Sequence, residues 1–244
     1  MIDTSSGGIK ARATPAERKP PAAGAWCGIA VAVAWAPMAA VIPLFPDLDS
    51  RTEVVAFWDD HGALTLRIMA LVVLGYPFLL VFLADVAARA SGRGGRPVLS
   101  WAALAAGVMF MTGLCAALGL AAAAGRIVEE STEPSAAYAL HVGAFVLAAP
   151  FTGSGVAFFV FVALLSQRGH LQPRWLRWPA LLGILGNVGA VAGLFTLTGP
   201  GNSGNGLLGG ILLPLGTFLI WTACASLGWL RNARRSRPRN APGR

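Results

Sequence analysis

Six apolar runs, each about as long as a bilayer crossing, leave this chain few folds to choose from. They cover approximately residues 25–45, 64–88, 98–124, 136–166, 178–199 and 207–230. A helix needs about 20 apolar residues to span the hydrocarbon core. In lipid every backbone polar group must find a partner within the protein, so consecutive apolar runs of this length specify helices. The 244 residues are 55% apolar and 12% charged, where soluble domains run near a quarter charged. The expected fold is therefore an all-α, six-helix transmembrane bundle. It divides into a disordered cytoplasmic tail over 1–23, a membrane domain over 24–231 and a basic cytoplasmic tail over 232–244.

The net charge of +8 does not imply nucleic acid, because the basic residues sit in short segments between apolar runs, as membrane topology requires. With the N-terminus inside, one side collects Lys10, Arg12, Arg18, Lys19, Arg89, Arg93, Arg96, Arg168, Arg174, Arg177 and the six arginines from Arg231 to Arg244. The other side keeps Arg51, Arg67 and Arg126. Both termini are expected in the cytoplasm, with the plasma membrane as location. The outer side is acidic: Asp47, Asp49, Glu53, Asp59, Asp60, Glu129, Glu130 and Glu133 fall there. Cys27, Cys115 and Cys224 each lie inside an apolar run without a CxxC partner, and read as small packing residues.

The longest polar interruption, PDLDSRTEVVAFWDDH over 46–61, has its own local logic. Ser50 followed by Glu53 forms a capping box, which starts a helix near Arg51. Val54, Val55, Phe57 and Trp58 supply an apolar side, and Gly62 is placed to end the helix or link it to the second run. The segment predicts a short helix in the outer interface, with Trp58 at headgroup depth. Pro77, Pro150 and Pro214 lie near the middle of their runs and predict bends. Gly189 and Gly193, continued by Gly183, Gly186 and Ala190, predict a close packing face on the fifth run. Asn187 there reads as an interhelical hydrogen bond. Asp85 and Arg89 stand at helical pairing distance near the inner interface.

Established catalytic patterns were tested against these residues. Gly153-Ser154-Gly155 suggests an intramembrane serine protease, but that chemistry needs a histidine base, and the sixth run has none. Haem ligation needs histidines facing each other inside the bundle; His61, His141 and His170 are distributed otherwise. The cytoplasmic loops lack the paired aspartates that hold magnesium diphosphate. Asp47–Ser50 matches three of the four positions of a DxDD acid motif. Adjacent Asp59 and Asp60 at a low-dielectric boundary repel each other's charge, so one of them is a candidate to hold a proton. The candidate catalytic set is Asp59, Asp60, Glu129, Glu130 and His141, gathered at the outer rim. Trp58, Tyr76, Tyr138 and Phe151 are the candidate substrate-binding residues, with Trp35 and Phe78 as further cation-stabilising faces. No metal and no cofactor is required.

At TEVVAFWDDHGALTLRIMALVV the chain resembles a group of uncharacterised actinobacterial six-span integral membrane proteins. Glu53, Val54, Val55, Phe57 and His61 carry an EVxxFxxxH-like outer helix before the second span. More distantly the chain resembles small bacterial membrane-embedded terpene cyclases. That resemblance implies a metal-independent terpene or meroterpenoid cyclase, which starts cyclisation of an isoprenoid-like molecule by carboxylic-acid protonation. The other reading is a non-catalytic membrane component, an accessory subunit or small permease. Neither reading fixes an oligomeric state.

Overall fold

The computed structural model describes residues 22–92, 97–130 and 133–235. The two tails, Arg93 and Arg96 lie outside these, apart from residues 22–23 and 232–235. The described residues form six α-helices and no strand: α1 Ala23–Val41, α2 Arg51–Ser91, α3 Pro97–Glu130, α4 Pro134–Gln167, α5 Arg177–Ala190 and α6 Leu212–Arg235. Each helix packs against its neighbours in the chain, and α6 returns to α1, so the bundle closes as a ring. The α1 segment through Leu44, with α2, α3, α4 and α6, makes five helices long and apolar enough to cross a membrane. Their outward faces carry large apolar side chains such as Val33, Val73, Leu74, Met109 and Ile220. A water-soluble protein does not expose such a surface; this is an integral membrane protein.

The interior is built from aromatic and small residues. Trp35, Phe82, Phe110, Phe158, Phe159, Phe218 and Trp221 are fully buried. Trp35 Nε1 donates a 3.0 Å hydrogen bond to the Val72 carbonyl. It can do so because Gly75 leaves it room: a Cβ there would stand 2.5 Å from the indole nitrogen. Near the end of α2, Arg89 Nε donates to Asp85 at 2.8 Å, as the spacing predicts, and the guanidinium lies 4.5 Å from the Trp229 ring centroid. Trp229 in turn donates to the Gln172 carbonyl at 2.6 Å. Together these contacts tie α2 and α6 to the loop before α5.

Several local expectations are corrected. Ser50 Oγ accepts from the Glu53 amide at 3.3 Å, and α2 starts at Arg51. The helix is not short, however. It runs through Gly62 for 41 residues, roughly 61 Å at about 1.5 Å per residue, twice the hydrocarbon thickness. Gly62 is not a stop: the helix continues through it, and the Trp58 ring lies 3.6 Å from its Cβ position, at ordinary contact distance. Helix α5 has 14 residues, against the 22 of its apolar run, and passes into a 3₁₀ turn over Val191–Leu194. It stops where Gly193 meets the Gly209 carbonyl, 2.4 Å from the Cβ position. Pro214 is not mid-helix. It sits in the first turn of α6, where the missing N–H costs no hydrogen bond. Asn187 bonds within its own helix, Nδ2 to the Gly183 carbonyl at 2.8 Å. The three cysteines are free and half-buried.

Candidate functional site

Helices α2, α3 and α4 have 41, 34 and 34 residues, more than the roughly 20 that a bilayer crossing needs, and the start of α2, the end of α3 and the start of α4 meet at one end of the bundle. Trp58 stands nine residues before Arg67 on α2, roughly 14 Å farther out at about 1.5 Å per residue. There the helices need their own core. Val54, Phe57 and Trp58 form the buried face of α2, at 0, 6 and 3% exposure, which is the spacing of one helical stripe. Trp58 is not at the headgroup surface. It is clamped over α3, where a Cβ on Gly125 would lie 2.6 Å from its ring. Its Nε1 donates to His141 Nδ1 of α4 at 3.1 Å.

His141 has no solvent-accessible surface. Its ring lies 4.9 Å from Phe145, 5.6 Å from Phe45 and 5.8 Å from Trp58, centroid to centroid. Since Nδ1 accepts, the neutral ring carries its proton on Nε2. That nitrogen is buried with no hydrogen-bond partner among the described residues.

Asp59 of α2 and Glu129 of α3 line one cleft of about 140 Å³, with Trp58 as its inner wall. Gly62 and Gly125 open it, and Ala63, Leu66 and Val128 give it apolar sides. Trp58, Gly62 and Leu66 recur at helical spacing, so the cleft descends from the acidic rim toward the level of Arg67 over roughly 12 Å. Glu129 accepts from Arg126 Nη1 at 2.6 Å, and Glu130 accepts from Nη2 of the same arginine. Both pairs are exposed.

The candidate residues therefore fall in four places. Asp59, Glu129 and Trp58 meet in the cleft, and His141 stands behind Trp58. Asp60 is exposed and Glu130 is turned to Arg126; neither lines the cleft. Tyr138 is a clamp: its hydroxyl donates to the Leu48 carbonyl at 2.7 Å, holding the α1–α2 connection on α4. Tyr76 and Phe151 lie near mid-membrane instead. Tyr76 Oη and Thr112 Oγ1 share a 2.5 Å hydrogen bond, and the Phe151 ring covers Gly113. Phe151 and Thr112 border a lipid-facing groove along α3.

Sequence reasoning missed Phe45, Phe145 and Gly125, which shape this outer core. The glycine had a signal, as it stands one helical turn before Glu129. The described residues hold no cluster of three or more His, Cys, Asp or Glu arranged for a metal ion. Comparison with protein-family models, with curated proteins and with solved structures finds no match to this chain.

Proposed function

We propose that this is a six-pass protein of the plasma membrane, with both termini in the cytoplasm, that holds an isoprenoid-like amphiphile in the outer cleft between α2 and α3. The observation that carries the site is the convergence of Asp59 and Glu129, from separate helices, on Trp58 in one cleft. A polar or cationic head suits the two carboxylates, and an apolar tail suits Ala63, Leu66 and Val128 below them.

Two features support the topology. The 14 residues of α5 and the four of the following turn rise together roughly 29 Å, at about 1.5 and 2.0 Å per residue, close to the 30 Å of a hydrocarbon core. Exposed Trp26, Trp101, Trp175 and Trp178 stand at or beside the starts of α1, α3 and α5. That places them at one end, as an interfacial aromatic belt beside Arg174 and Arg177.

The non-catalytic role, as accessory subunit or small permease, is the one the packing favours. A carbocation survives only in an aromatic enclosure shut off from water beside its acid. Asp59 stands at an exposed rim. The aromatic pocket bordered by Trp35, Phe45 and Phe145 has about 20 Å³ of room, about one water. The cyclase reading draws on the convergence of the two acids: Asp59 would deliver the proton, with Glu129 held as a carboxylate by Arg126.

One experiment addresses both roles. A diazirine analogue of farnesol is photolysed with the purified protein in liposomes, and labelled peptides are mapped. Label is expected at the Ala63–Leu66 and Val128 walls, reduced when Leu66→Trp fills the cleft. Label spread evenly over all lipid-facing helices would discard the cleft. Extraction of a cyclised product, abolished by Asp59→Ala, would decide for the enzyme over the binding component.

A further inference from the structure

The Gly-rich segment between α5 and α6 covers a second, internal space. Two small apolar voids of about 20 and 10 Å³ lie side by side under it. Both are bordered by Leu114, Phe145 and Ile211, so those side chains stand between the two parts of the space. Gly209, Gly210 and Ser203 of the segment form the roof of the smaller part, with Ala148 and Thr152 of α4 opposite. Thr152 spends its hydroxyl on the Ala149 carbonyl at 2.6 Å. Ser203 is 2% exposed, and its Oγ has no partner among the described residues. A hydroxyl buried this way costs stability unless something fills its hydrogen bond.

The segment is closed on itself by Asn202, which bonds Gly199, Gly204, Asn205 and Gly206, and by the Leu208 and Gly209 amides on the Pro200 carbonyl, while few bonds tie the α5–α6 connection to the α1–α2 connection. Asn202 Nδ2 donates to Asp47 Oδ1 at 3.0 Å, Asn205 Nδ2 donates to the Phe45 carbonyl at 2.8 Å, and the Leu48 amide donates to the Leu197 carbonyl at 3.2 Å. No helix runs from 202 to 211. Gly199 at φ +69° supplies a backbone state that residues with a Cβ resist. On its far side the segment presents Phe195, Leu207 and Leu208, all more than half exposed, a surface suited to the outer leaflet.

We infer that segment 199–211 is a lid that admits a neutral, apolar molecule bearing one hydrogen-bonding oxygen from the outer leaflet, and that Ser203 Oγ bonds that oxygen. Shut, each part of the chamber holds about one water, so the guest enters only when the lid lifts. Asn202 and Asp47 are the latch. The site uses none of the residues of the α2–α3 cleft, and stands or falls separately from it.

The test places a cysteine at Ala148, 1% exposed, in a variant whose three native cysteines are alanine, and follows maleimide labelling in liposomes. Asn202→Asp removes the Nδ2 donor shared by Asp47, the Gly199 carbonyl and Asn205, sets two carboxylates against each other, and is expected to speed labelling by about tenfold or more. Asp47→Ala removes the acceptor and reads the same latch if the first variant does not fold. Farnesol is expected to slow labelling at position 148, and Ser203→Ala to remove that protection without changing the rate measured in its absence. Equal labelling in wild type and latch variants overturns the lid. So does a parallel rise at a cysteine placed at Ala103, a core position of α3 outside the chamber, since that reports general loosening. Protection that survives Ser203→Ala overturns the assignment of the donor.

Discussion

The indole N–H of Trp58 donates to Nδ1 of His141 across 83 residues of sequence, at 3.1 Å. The bond joins the projecting start of α2 to that of α4, and both rings are shut away from solvent. A Cβ on Gly125 would lie 2.6 Å from the indole, so that absent side chain makes the pair possible. This bond explains why His141 is not an open ligand at the rim.

Replacing Trp58 by phenylalanine leaves His141 Nδ1 buried without its donor. An orphaned buried group costs about 1–3 kcal/mol, and hydrogen bonds between membrane helices lie at the low end, about 0.6 on average. Trp58→Phe is expected to lose about 1 kcal/mol in SDS-titration unfolding. His141→Phe in the same chain should recover part of it, because removing both partners is nearly neutral. A double variant less stable than either single one would show that the bond is not what couples these residues.

Gly153 and Gly155 look alike in sequence and should behave differently. A Cβ on Gly155 falls 2.0 Å from Asn187 Oδ1, whereas one on Gly153 meets nothing within 4 Å. Asn187 has nowhere to retreat, since Nδ2 is bonded to Gly183 and the residue is fully buried. Gly155→Ala is expected to cost about 1–3 kcal/mol by overpacking. Gly153→Ala should be neutral or gain up to about 1 kcal/mol of helix propensity. Melting of the two variants side by side in detergent reads the difference; equal melting temperatures refute it.

What could be read from the residues alone followed from rules that act locally or through the bilayer. Ser50 and Glu53 announce the start of α2, because a cap needs only three neighbouring residues. Asp85 and Arg89 pair because a helix brings i and i+4 together. The apolar runs announce helices because lipid allows little else. The missed features depend on distant partners. Gly125 shows no local purpose until Trp58 of α2 is seen to need its space. The fifth run reads as one long helix until Gly193 meets Gly209, whose approach no periodicity encodes. Asp59 and Glu129 could be grouped by side of the membrane, since the acids cluster there. That His141 turns inward to Trp58, and that Tyr138 clamps Leu48, was hidden in the packing order of α2, α3 and α4.

Near the end of α2, Asp85 is the carboxylate partner of a buried guanidinium. The two side chains are 10 and 8% exposed, and Gly24 of α1 closes on Asp85 so tightly that a Cβ would lie 2.2 Å from its Oδ2. Removing one member of a buried pair costs about 3–5 kcal/mol, because the other charge is left uncompensated. Asp85→Ala is expected to fall in that range and to lower the yield of folded protein. Asp85→Ala/Arg89→Met should be the more stable of the two. Size-exclusion yield and SDS unfolding measure both, and a single variant as stable as wild type would contradict the role of the pair.

The topology makes a prediction independent of any ligand. His61 and Arg174 are separated by three crossings if α2, α3 and α4 each span the bilayer, so they must face opposite sides. On the proposed topology sixteen basic residues lie on one side and three on the other, and the preference of lysine and arginine for cytoplasmic loops would put Arg174 inside. In a chain free of native cysteines, His61→Cys is expected to react with a membrane-impermeant maleimide on intact cells. Arg174→Cys is expected to react only after the membrane is opened. His61 is exposed, ten residues into the 41-residue α2 and seven before its apolar core begins at Ile68. Reaction of both on intact cells would remove at least one crossing between them, and with it the assignment of the acidic cleft to the outer face.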